Sequence, residues 1–399
     1  MLSVTPLLAI VFLTLQVLGS PAKRATCVVT GAQNAGTDDV PAITAALASC
    51  GNGGIIQISA GVTYAIRSVL DFSSCKSCDF QIEGTMKVSD DLTYWEGRRA
   101  IFYVNGVTGM TMRSVTGTGV VDGNGQAAWT EFAANSSYAR PTLMYVTGSS
   151  SVTVTSLKFK NPPNVFHSVT GGSKSVTYSS LTMTAASDAG LAVPKNTDGF
   201  DVGSSSYVTI SNVKVTNQDD CVAFKAGATY TTVSQITCTG SHGLSVGSLG
   251  SGSSADVVSN IYVTGATMVN SSKAVGIKLY DGESGHTAAT VKNVTFDGVT
   301  VTNSDYAAQI QSCYGASTTA ICTSNPSKSS VTDVYFKNFS GTTSTKYEPV
   351  ITNLNCPSAG TCDIYISGWT VKSPTGSATY QCSNVDSSLG VTCSGAASG

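Results

Sequence analysis

Three short motifs decide the fold: Asn196-Thr197-Asp198-Gly199, Gln218-Asp219-Asp220 and Gly240-Ser241-His242-Gly243. Asp198 and Asp220 are 22 residues apart, and so are Asp220 and His242. One helix or one hairpin does not readily gather three acids and a histidine at that interval. Successive coils of a solenoid do, because residues one period apart stack above each other. The spacing therefore predicts a repeat architecture that collects these groups into one patch.

Outward from that stretch the chain repeats loosely. Short alternating strands, divided by Gly, Asn, Asp and Ser, run from about residue 54. Aligned on Val152, Val176, Val208, Val233, Val263, Val294, Val334 and Ile364, the units step by 24, 32, 25, 30, 31, 40 and 30 residues. A propeller blade needs a longer, steadier period, and no Leu-x-x-Leu-x-Leu pattern marks a leucine-rich repeat. Three strands and their turns per coil predict an all-β fold, a single-stranded right-handed parallel β-helix. Uneven steps are then loop insertions at the corners. Ahead of it, Thr37-Asp38-Asp39 precedes Val40, Ile43 and Leu47 at helical spacing, with Pro41 in the first turn. This predicts a short capped helix that covers the open end of the solenoid. With no linker or composition break, residues 25–399 read as one catalytic domain.

The ends and the composition bound the setting. Residues 1–20 form an apolar run closing on small residues, which reads as a signal peptide, and Lys23-Arg24 reads as a dibasic processing site. A secreted chain beginning near Ala25 is expected. No later stretch approaches the ~18 apolar residues of a membrane span. A net charge of −2 with 12% charged residues gives nucleic acid nothing to bind. The twelve cysteines are even in number and suit disulfides in an oxidising compartment. Nearest neighbours suggest Cys27–Cys50, Cys75–Cys78, Cys221–Cys238, Cys313–Cys322, Cys356–Cys362 and Cys382–Cys393, although Cys75-x-x-Cys78 also has zinc-ligand spacing. Asn135, Asn270, Asn293 and Asn338 begin glycosylation sequons.

The chemistry follows from crowding. An isolated Asp-Asp pair is usually a solvated turn, but Asp198 one coil away changes that reading. Carboxylates forced together repel, so at least one holds a proton near neutrality. A protonated acid beside ionised ones suits hydrolysis of a glycoside, in which one group protonates the leaving oxygen and another activates water. His242, which alone would be a turn histidine, can tune the acid by hydrogen bonding. Lys278 is either a solvated surface group or, on the next coil, a ligand for a sugar carboxylate. His167 and His286 have no comparable company and read as structural or surface residues. Gly117-Thr118-Gly119 and Asp122-Gly123-Asn124-Gly125 lack a surrounding βαβ unit and read as turns.

Asn196-Thr197-Asp198, Gln218-Asp219-Asp220, Gly240-Ser241-His242-Gly243 and Ile277-Lys278, in that order, resemble the signature motifs of the polygalacturonase family of glycoside hydrolases. The resemblance runs from about Cys27 to the C-terminus. It implies a right-handed parallel β-helix, a pectic polysaccharide substrate, inversion at the cleaved linkage and no cofactor or metal; a monomer is expected. By position it implies Asp219 as general acid, Asp198 and Asp220 as activators of water, and His242 as support for the acid. It also implies Asn196, Lys278 and Tyr314 as substrate contacts.

One position departs from that pattern. The family carries Arg-Ile-Lys where this chain has Gly276-Ile277-Lys278. Losing the Arg removes a bidentate clamp for a uronate carboxylate, and the expectation is weaker binding of bare polygalacturonate and more room for a substituent. Here, and at Asn161-Pro162-Pro163-Asn164, the chain most resembles the fungal xylogalacturonan hydrolases, whose substrate carries xylose branches. Three other readings stay open: a polygalacturonase that keeps the plain polymer, a calcium-dependent lyase, and a solenoid that binds sugar without cutting it.

Overall fold

The computed structural model describes residues 24–357, 362–386 and 388–398, so the expected signal peptide and Lys23 lie outside it. Every strand pairing is parallel, in one sheet of 18 strands and one of 11. The strands Ser205–Thr216, Ala228–Thr239, Asp256–Val269 and Ala289–Ser304 are long because each turns a corner in mid-course. The corner residues are left-handed: Asn212 (φ 52°), Gln235 (53°), Gly265 (64°) and Gly298 (69°). Asn and Gly tolerate this conformation, which explains the punctuation read from the sequence. Each long strand thus supplies two sides of a coil, and the 11-stranded sheet supplies the third.

Inward residues alternate with outward ones and form one continuous apolar core. Its columns correct the unit alignment at two coils. Val208 pairs with Thr231, not Val233, and Thr231 with Ile261, not Val263. The true steps between inward positions are 24, 32, 23, 30, 33, 40 and 30 residues. A slip of two leaves every side chain on its proper face, so the pattern alone did not resist it. His167 stands inside this core, against Phe159, Tyr178 and Phe200 at 4.5, 5.0 and 5.3 Å between ring centres. Burial pushes its pKa down to about 3 and keeps it neutral.

The helix Val40–Cys50 buries Val40, Ile43, Leu47 and Cys50 against the first coil, and Cys50 bonds Cys27. The two aspartates of the capping stretch divide the work. Asp38 accepts the Val40 N–H, whereas Asp39 is spent on the N–H groups of Ala32 and Ala65, tying the helix entry to the coil beneath. Three further helices, Leu92–Trp95, Gln126–Ala134 and Thr319–Ser324, interrupt the strands. All twelve cysteines pair as the six neighbours, Cys75–Cys78 included, which removes the zinc reading of that motif.

Candidate active site

The 11-stranded sheet sets the site. Phe200, Val222, Leu244 and Val275 are in register on successive coils. Two residues before each stands Asp198, Asp220, His242 and Lys273. The 22-residue interval is therefore a true coil step, and the column has a fourth charged rung. Lys273 escaped the sequence reading because an insertion stretches its step to 31 residues. The turn carrying Asp219 and Asp220 is pinned from below: buried Asn217 donates to the carbonyls of Thr197 (2.8 Å) and Asp220 (2.9 Å). Directly after it, Cys221 bonds Cys238 across the coil.

Each carboxylate has a basic side chain beside it. Lys278 Nζ lies 2.9 and 2.8 Å from the two oxygens of Asp220, and Ser245 Oγ donates to the first at 2.7 Å. Lys278 is thus paired with Asp220 within the cleft lining, with the Tyr314 ring 5.6 Å from its ammonium. Asp219 receives its own neighbour's N–H from Asp220 at 2.8 Å, with His242 Nδ1 at 3.1 Å on the same oxygen. Asn196 Nδ2 donates to its other oxygen at 3.3 Å. Asn196 is itself held by Arg140, whose guanidinium donates to Asn196 Oδ1 (2.8 Å) and to the carbonyls of Pro163 and Lys195. Arg140 went unnoticed in the sequence, because nothing in the order of residues joins position 140 to position 196.

A fourth carboxylate was also missed. Asp201 lies three residues past Asp198, in the strand Phe200–Val202, and Lys225 sits 3.9 Å from Asp198 and 3.7 Å from Asp201. The motif Asp198-Gly199-Phe200-Asp201 gives the signal: the period of a strand leaves Asp201 outward while Phe200 enters the core. Burial, then repulsion from Asp201 and Asp219, raises the Asp198 pKa well above the usual carboxylate range. Burial raises Asp201 as well. Asp219 goes the other way: burial pushes it up, but the His242 hydrogen bond and the charges of His242 and Lys278 outweigh that and hold it low. The crowded carboxyl that keeps a proton in the free protein is thus Asp198, with Asp201 beside it, and not Asp219.

Asp198, Asp201, Asp219, Asp220, Lys225 and Lys278 line an open cleft of about 520 Å³, walled by Phe132 from the helix Gln126–Ala134, by Ser136–Arg140 and by Asn164 and Tyr314. A second cleft of about 500 Å³, at the Cys313–Cys322 loop, contains no titratable side chain. The chemistry belongs to the first. Ammonium groups already fill the positions beside Asp220, Asp198 and Asp201, an arrangement that repels a divalent cation and disfavours the calcium-lyase reading. His286 does have company: its Nδ1 is 2.6 Å from Asp281, in a neighbouring loop outside the cleft lining.

Gly276 overturns part of the specificity expectation. A Cβ built there would lie 2.5 Å from Cε and 2.7 Å from Cδ of Lys273. The room left by the missing side chain is filled by a lysine stem, so it is not open to a sugar branch.

A parallel β-helix with paired acids, a histidine and lysines in one polar cleft defines a polysaccharide-cleaving hydrolase. The chain matches the model of glycosyl hydrolases family 28 over residues 50–394 and belongs to that family. It is 56% identical to endo-xylogalacturonan hydrolase A of Aspergillus tubingensis, over 94% of this chain and 92% of that protein. It is 54% identical to the probable endo-xylogalacturonan hydrolase A of Aspergillus oryzae, over the same shares. The crystal structure of the Aspergillus tubingensis enzyme superposes with a TM-score of 0.92, covering 94% of this chain and all of that one. A polygalacturonase from Erwinia carotovora shares the fold at 20% identity and a TM-score of 0.69, over 93% of this chain and 98% of that one.

Proposed function

We propose that this glycoside hydrolase cuts galacturonosyl linkages inside xylose-substituted galacturonan, as an endo-acting, secreted, monomeric enzyme. The observation that carries the reading is the cluster of Asp198, Asp219 and Asp220 in one cleft, with Lys225 beside Asp198, Lys278 on Asp220 and the His242 ring bonded to Asp219. In this reading Asp219 gives its proton to the glycosidic oxygen. Water on the opposite face of the sugar, held by Asp198, loses a proton to Asp220 and attacks the anomeric carbon, inverting it. His242 and Asn196 orient Asp219, Arg140 steadies Asn196, and Tyr314 offers an aromatic wall to the sugar. Because Asp219 is held low in the free protein, it takes its proton from solvent once bound substrate raises its proton affinity. A uronate charge placed beside it and the expulsion of water both favour its protonated form.

Support for the substrate comes from relatives more than half identical that are named for xylogalacturonan. Secretion fits the six disulfides, four sequon asparagines that are all exposed, and the absence, among the described residues, of a helix long and apolar enough to cross a membrane. The Lys273 stem over Gly276 favours a second reading, in which plain polygalacturonate is also accepted because a cation has returned to that place.

Side-by-side assays on xylogalacturonan and polygalacturonate, with products sized over time and the first-formed anomer read by NMR, separate these. Faster cleavage of the substituted polymer into mixed-length products with inverted ends is expected. Rapid shortening of polygalacturonate with the xylose-bearing polymer left intact would sink the proposal, and an unsaturated product would point to elimination.

A further inference from the structure

We infer that Lys273 is a uronate-binding residue, its ammonium standing in for the Arg missing at 276 and reading the carboxylate of the sugar bound beside His242. The inference rests on the proposed pectic substrate and specifies which residue recognises its charge.

Four observations carry it. Lys273 occupies the rung after Asp198, Asp220 and His242, on the same edge of the 11-stranded sheet. Two glycines make its path: a Cβ at Gly243 would meet its Cγ at 3.1 Å, and one at Gly276 would meet Cδ and Cε at 2.7 and 2.5 Å. The stem is packed and the residue is 4% exposed, yet its ammonium has no hydrogen bond or ion pair among the described residues. Nor is Nζ among the unpartnered atoms sealed from solvent. Lys278, by contrast, is committed to Asp220. Among the site's lysines, Lys225 has two carboxylates and Lys278 has one, so Lys273 is the cation left to a ligand. Burial and the charge of Lys278 lower its pKa to about 8, which shows how poorly the protein itself compensates it. A substrate carboxylate would complete the pairing that the fold leaves open.

The binding of tri-galacturonate and of its methyl ester, which has lost the carboxylate charges, tests this by calorimetry in an Asp219→Asn background that cannot turn over. Lys273→Met keeps the stem and removes the charge. It should weaken the acid about tenfold, the scale of one charged hydrogen bond, and leave the ester unchanged. Gly276→Ala adds the Cβ that displaces the stem. It should weaken the acid similarly, with little further loss when combined with Lys273→Met. Lys273→Arg should recover much of the affinity. Equal losses on acid and ester, or no loss on either, overturn the assignment while leaving the proposed substrate standing. If neither oligomer binds even with Lys273 intact, the pectic reading of the cleft fails and this inference fails with it.

Discussion

Two columns in this molecule are built by the same rule and do opposite things. One runs through the core at Val152, Val176, Val208, Thr231, Ile261, Val294, Val334 and Ile364. The other begins in the cleft at Asp198 and Asp220 and continues beside it at His242 and Lys273. In both, the parallel register brings one residue per coil into line with the next. Stacking apolar groups removes them from water and stabilises every coil that joins the stack. Stacking charges accumulates repulsion and desolvation, which the fold offsets only partly with lysines. The core column therefore holds the coils together, and the cleft column is where they are strained for chemistry.

The largest expected effect breaks the cleft column at its working end. Asp219→Asn should lower kcat by about 10²–10⁴-fold, the usual contribution of general acid catalysis, with little change in the melting temperature. An unchanged rate would remove Asp219 from the proton path. Asp198→Asn should also be inactive, but its stability should separate it from Asp219→Asn. The folded pKa of Asp198 is raised, so its stabilising share is full below its unfolded value near pH ~4 and is lost as pH rises through the folded value. The amide cannot suffer that loss. Variant and wild type should melt alike at pH ~3.5, and the variant should melt higher at neutrality. A neutral-pH melting point below that of the wild type would contradict the raised pKa.

A smaller effect probes the opposing shift on Asp219. His242 supplies the hydrogen bond and charge that hold that carboxyl down. His242→Gln should lower kcat by about tenfold and let the Asp219 pKa rise. A general acid works only while protonated, so the alkaline limb of kcat/KM against pH should move to higher pH in the variant. A limb that stays in place or moves to lower pH would mean that another group delivers the proton.

The two columns were not equally legible. The cleft column announced itself as far as His242, because equal 22-residue steps of rare ionisable residues are hard to produce any other way. It stopped there because a nine-residue longer step carries Lys273 out of phase, and only the pairing of Leu244 with Val275 restores it. The architecture and the disulfide partners were also legible, since strand alternation and short Cys spacings are local signals. Arg140 and Lys225 were not, because their partners are chosen by folding. Gly276 misled for a related reason. A missing side chain was read as empty space, while close packing filled the space from position 273.

The smallest effect sits in the core column and comes from its one polar rung. Thr231 is buried, and its hydroxyl has no hydrogen-bond partner among the described residues. Its presence is also why the sequence pattern aligns on Val233, the nearest valine of the right parity. Valine has nearly the shape of threonine without the group that must be desolvated. Thr231→Val should thus stabilise the chain by about 1 kcal/mol, read as a higher urea midpoint at constant slope. Activity should be unchanged, since the residue faces the core and the cleft groups stand on another side of the coil. A lower midpoint would mean that the hydroxyl is bonded after all, through a water inside the helix, and that this column too has a polar duty.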